Sequence, residues 1–98
     1  MSKAIEITNT QIELNKIKIE RSEIQVGQIE VRLKELIDLY GCLKLMSEKP
    51  EEIFHLKKKE QLVKLWTRIL KDEKNTLARL CKLRDKLKER QRSLYANY

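Results

Sequence analysis

At 98 residues the chain has room for one small domain, and with 38% charged residues, 5% aromatics, two glycines and one proline it lacks the punctuation that a barrel, a sandwich or a doubly wound sheet needs. Its net charge of +7 is too small per residue to hold a 41% hydrophobic chain unfolded by repulsion, which argues against disorder and leaves long helices.

The N-terminus, Met1-Ser2-Lys3-Ala4-Ile5-Glu6, has no basic segment leading into an apolar run, so it does not read as a signal peptide. The most apolar stretch, Leu36 to Met46, carries Asp38 and Lys44, and no transmembrane segment is expected. Cys42 and Cys81 lack metal-site or redox spacing and fit reduced thiols, which points to an intracellular setting, cytoplasmic or nuclear.

From Ile5 the first half repeats every seven residues. Position a reads Ile5, Ile12, Ile19, Val26, Leu33 and Tyr40, and position d reads Thr8, Asn15, Ser22, Ile29, Leu36 and Leu43. The rival is a strand, because Ile17-Lys18-Ile19 and Ile29 to Leu33 alternate and are rich in β-branched residues. Helix is preferred, since apolar residues two apart also arise on a helix with two apolar faces. The spacing predicts a first helix over about residues 3–46, Gly41 notwithstanding.

Ser47-Glu48-Lys49-Pro50-Glu51-Glu52 contains no apolar residue and is read as a turn. Pro50 disfavours helix at Lys49 but suits the first turn of a new one, with Glu51 and Glu52 facing the positive end of its dipole. A second helix is predicted over about 53–95. Its a positions are Leu56, Val63, Leu70, Leu77, Arg84 and Gln91, and its d positions are Lys59, Trp66, Glu73, Leu80, Leu87 and Leu94. The polar run Lys71 to Thr76 offers an alternative, a three-helix arrangement with a break near Asn75. Tyr95 and Tyr98 close the chain, where fraying competes with an aromatic hook for a partner.

Pro50 lies near the midpoint, so the expected fold is all-α: an antiparallel helical hairpin with coiled-coil packing that oligomerises into a helical bundle. Folding at residues 49/50 makes facing residue numbers add to 99, which pairs Ile12 with Leu87 and Leu33 with Trp66. It also pairs the polar exceptions, Thr8 with Gln91 and Asn15 with Arg84, while Val26 on Glu73, Tyr40 on Lys59 and Ser22 on Leu77 fit poorly.

Two surfaces are candidates for function. Ile7, Leu14, Ile17, Ile24 and Val31 form a second apolar seam on the first helix, turned away from the a series, so one partner helix cannot cover both. The seam is expected to meet a second copy of the chain, its own third helix or another protein's helix. On the second helix Lys64, Arg68, Lys71, Arg79, Lys82, Lys86 and Arg90 form a basic stripe, suited to solvent, to an acidic protein surface or to nucleic-acid phosphates without sequence reading. Residues 1–49 carry eight cationic and eight acidic side chains, so the whole charge excess belongs to the second half.

Catalysis has thin support. His55 is the only histidine and would lie near Cys42 across the turn, but no third ligand or base accompanies them, and long helices offer no deep pocket. No catalytic, metal or cofactor residues are assigned. The expected role is a non-enzymatic coiled-coil structural or adaptor subunit, with nonspecific nucleic-acid binding as the alternative.

Overall fold

The computed structural model describes residues 2–46 and 48–97; Ser47 and Tyr98, both singled out above, lie outside them. The chain forms two helices, α1 (Lys3–Met46) and α2 (Pro50–Ala96), folded as an antiparallel hairpin, and no strand occurs among the described residues. The β-branched alternation of α1 is therefore helical. α2 runs unbroken through Lys71–Thr76, so the three-helix alternative is not realised. A polar run alone does not end a helix when no Gly or Pro accompanies it. Gly41 likewise lies inside α1.

The helix ends follow from local chemistry. Ser2 caps α1: the Ile5 amide donates to Ser2 Oγ at 3.2 Å, satisfying one of the free donors of the first turn. α2 starts at Pro50, inside the segment read as turn, because Pro is preorganised for the first helical position. Glu52 completes the cap by folding back, its Oε2 accepting from the Glu48 and Lys49 amides at 2.8 and 3.1 Å.

Those two amide bonds stabilise the charged carboxylate and hold the Glu52 pKa below its ordinary value. The sign follows directly: the cap's contribution is fully present above the unfolded-state value, about 4.3, and is lost as pH falls through the lowered folded-state value. A thermal melt series between about pH 5 and 2 is expected to show a loss of stability in wild type that is smaller in Glu52→Gln. Identical pH profiles would mean that the cap is not formed in solution.

Two compact units divide the hairpin: residues 1–24 with 74–98, and residues 25–73. In the first unit, the α1 seam Ile5, Thr8, Ile12, Asn15, Ile19 and Ser22 is buried or half-buried, as are Leu77, Leu80, Arg84, Leu87, Gln91 and Leu94 of α2. In the second, Val26, Ile29, Leu33, Leu36, Tyr40 and Leu43 are covered in the same way, with Leu56, Lys59, Val63, Trp66, Leu70 and Glu73 half-buried. The heptad positions are thus the covered positions in both. Few side chains are deeply buried, however, and the apolar ones are Ile5, Ile19, Leu33, Leu36 and Leu87.

Polar contacts in the first unit straddle the register in which facing numbers add to 99. Gln91 Nε2 donates to Asn9 Oδ1 at 2.7 Å, Asn9 Nδ2 to the Tyr95 hydroxyl at 3.4 Å, and Asn15 Nδ2 to the Leu80 carbonyl at 3.1 Å. The polar residues expected to face each other do not hydrogen-bond to each other, although Asn15 and Arg84 border one groove. Thr8, fully buried, donates within its own helix to the Ala4 carbonyl at 2.8 Å, and Gln91 bonds instead to Asn9 beside the seam. Arg84, half-buried, has Nε 3.2 Å from Asp85 Oδ1. A short hydroxyl reaches its own preceding turn more easily than the opposite helix, and a guanidinium kept near water avoids the cost of burying a charge.

Candidate interaction surfaces

In the first unit, α2 covers the a/d side of α1 and leaves the other side bare. Ile7, Leu14, Ile17 and Ile24 are 51%, 54%, 45% and 61% exposed. Successive steps of seven, three and seven residues keep them on one stripe about 100° wide at 100° per residue, opposite the covered seam. Val31, in the second unit, is 61% exposed. All five residues of the outer seam are therefore at the surface.

Beside this stripe lies a shallow groove lined by Gln11, Leu14, Asn15, Lys18, Leu83 and Leu87. Leu83 is an exposed apolar residue of α2 that the sequence reading did not single out. Its position one residue before the a position Arg84 flanks the seam, and flanking leucines are the available signal for a groove that a further helix can enter. In the second unit, Leu39, Leu62, Leu65 and Ile69 are also exposed.

Every member of the basic stripe is exposed, but the stripe is not uniform. In the second unit Lys64 Nζ lies 3.6 Å from Glu60 Oε1, and the α2 stretch from Pro50 to Glu73 balances six cationic side chains with five acidic ones. In the first unit the α2 stretch from Lys74 onward has eight cationic side chains and two acidic ones. Its outer members Arg79, Lys82, Lys86 and Arg90 have no carboxylate partner among the described residues.

The residues weighed for catalysis are in the second unit, save Cys81. His55 is exposed and makes an edge contact with Phe54, with ring centroids 6.0 Å apart, and Lys58 Nζ sits 4.7 Å above the same Phe54 ring. His55 lines a shallow groove with Leu43, Met46 and Glu52, which Cys42 does not join. Cys42 is exposed and Cys81 half-buried, both as free thiols. Trp66 is half-buried and borders a groove with Gln25, Gln28, Ile29, Arg32 and Glu73. No helix among the described residues is long and apolar enough to cross a membrane.

No family model, curated protein or solved structure matches the chain.

Proposed function

We propose that the protein is a non-enzymatic coiled-coil structural or adaptor subunit that assembles with helices of protein partners, as a homo-oligomer or within a heteromeric complex. The observation that carries this reading is the outer face of α1, where Ile7, Leu14, Ile17 and Ile24 stay exposed after α2 has covered the heptad seam. Burying an aliphatic side chain of this kind is worth about 1.5–3 kcal/mol. Scattered exposed aliphatic residues need no explanation, but four on one helix face, with Thr10 and Arg21 at the intervening turns, form a seam of the kind that a further helix covers.

Energetics support the same reading. A two-layer hairpin with five deeply buried apolar side chains among the described residues has little core for a chain of 98 residues, and small domains gain stability by oligomerising. An intracellular setting belongs to this proposal, because Cys42 and Cys81 are free thiols.

The test replaces Ile17 and Ile24 with Glu. Neither is on the covered seam, so circular dichroism should report unchanged helix content. Light scattering is expected to show wild type at a multiple of 11.8 kDa and the double variant at that monomer mass. A wild-type monomer at about 100 μM would rule out the homo-oligomeric form and leave the heteromeric one.

A further inference from the structure

We infer that the outer face of α2 in the first unit, formed by Arg79, Lys82, Lys86 and Arg90, binds the phosphate backbone of duplex DNA. Steps of three, four and four residues place these four side chains within an arc of about 80° and space them about 4.5–6 Å apart along the helix. They form a straight ridge of cations about 16 Å long. All four are exposed, and none has a carboxylate partner among the described residues.

Charge distribution makes this ridge distinct from an ordinary solvated face. Of the chain's net +7, an excess of six sits in α2 beyond Glu73, while the α1 part of the same unit carries four cations and four acids. Asp85, one of the two acids in that stretch, is engaged by Arg84 and does not neutralise the ridge. Glu89, the other acid, stands about 20° outside the arc beside Lys86 and Arg90 and makes no ion pair with the ridge among the described residues, so four cations meet one flanking acid. A surface with such an excess of cations concentrates positive potential and attracts a polyanion.

The composition of the face chooses among polyanions. Protein interfaces have an apolar core and are depleted in Lys, whereas Asn75 and Ser93, which share this arc, are polar. Leu83 stands at one edge of the arc, next to the groove beside Leu14, and does not interrupt the ridge. Binding of a single strand uses aromatic side chains for stacking, and no aromatic lies on this arc. An anionic membrane surface is held by a broad apolar face next to a basic one, and here Leu77, Leu80, Leu87 and Leu94 are covered, which leaves Leu83 and Tyr95 as the exposed large apolar side chains of this part of α2. Duplex DNA needs none of these: its phosphates are bound by charge alone, and its major groove, about 12 Å wide, admits a helix that the deep and narrow groove of duplex RNA excludes.

Fluorescence anisotropy with a labelled 30-base-pair duplex of mixed sequence tests the inference. Four neutralised phosphates give a slope of log K against log salt of about −3.6, so affinity is expected to fall about a hundredfold between 50 and 200 mM salt. The variant Lys82→Gln/Lys86→Gln/Arg90→Gln should bring the slope to about −1 and weaken binding more than tenfold at 50 mM. An equal change of net charge in the second unit, Lys57→Gln/Lys64→Gln/Lys71→Gln, should change affinity less than threefold. Absence of binding by wild type at 50 mM overturns the inference, as do equal losses in the two variants. Duplex RNA bound as tightly as DNA, displacement by polyglutamate at matched charge, or binding to phosphatidylserine vesicles in preference to DNA would each overturn the choice of partner.

Discussion

Replacing Ile19 by Ala is expected to lower stability by about 2–5 kcal/mol, whereas Ile17→Ala, two residues earlier, changes it by less than about 0.5 kcal/mol for the isolated chain. The two side chains are chemically identical and differ in cover: Ile19 is 6% exposed and Ile17 45%. Truncating Ile19 removes contacts to α2 and leaves a cavity that the adjoining turns of helix fill only in part. A domain of this size has about 5–15 kcal/mol in total, so the Ile19 variant should melt far below wild type. Urea titrations followed by circular dichroism at two protein concentrations measure both effects. An assembled chain would make the Ile17 loss larger and concentration-dependent, since the outer seam is then buried by a partner. Equal effects at both sites in a monomer would mean that α2 does not lie on the a/d side of α1.

The second large effect is at Asn15, where a gain is expected. Asn15 is 3% exposed, its Nδ2 donates to the Leu80 carbonyl, and its Oδ1 is buried with no hydrogen-bond partner. An unsatisfied buried acceptor costs about 1–3 kcal/mol, and the Leu80 carbonyl is part of the α2 ladder without Asn15. Asn15→Leu should therefore stabilise the fold by about 1–3 kcal/mol, and each kcal/mol raises Tm by about 4–8 °C in a domain of this size. What is lost is discrimination. A buried Asn penalises every register in which its amide finds no carbonyl, so the variant should populate shifted or alternative associations. Its NMR spectrum is expected to show more than one set of amide signals, against a single set for wild type. A fall in Tm would show that the Leu80 bond outweighs the orphaned oxygen.

How far the fold could be read from residue order depends on how local each determinant is. The heptad positions were legible because a helix turns by 100° per residue, so a seven-residue repeat at Ile5, Ile12 and Ile19 defines a face before any partner is known. Ser2, Pro50 and Glu52 mark helix ends by equally local means, Ser2 and Glu52 by accepting from amides within four residues and Pro50 by its fixed backbone angle. Composition extends the turn through Glu52, although Pro50, Glu51 and Glu52 also suit the first turn of a helix; the fold-back of Glu52 onto two amides settles them there as the start of α2.

The outer seam was legible from the same arithmetic, and its five residues are exposed. Leu83 was missed because one leucine beside a seam has no periodic signal. The basic stripe was read as seven equivalent residues. Acidic neighbours divide it, leaving Arg79, Lys82, Lys86 and Arg90 as the uncompensated part.

Two helices, their covered faces and a fold-back point near Pro50 can thus be read from residue order, because each follows from the periodicity and capping of a single helix. The partners of the polar seam residues were fixed by the packing of the two helices. Asn15 chose a backbone carbonyl of α2, Thr8 one of its own helix, Gln91 a residue outside the seam, and Arg84 the carboxylate of Asp85. Those choices depend on the length of each side chain and on the depth at which the opposing helix leaves it, and neither is defined until the second helix is in place.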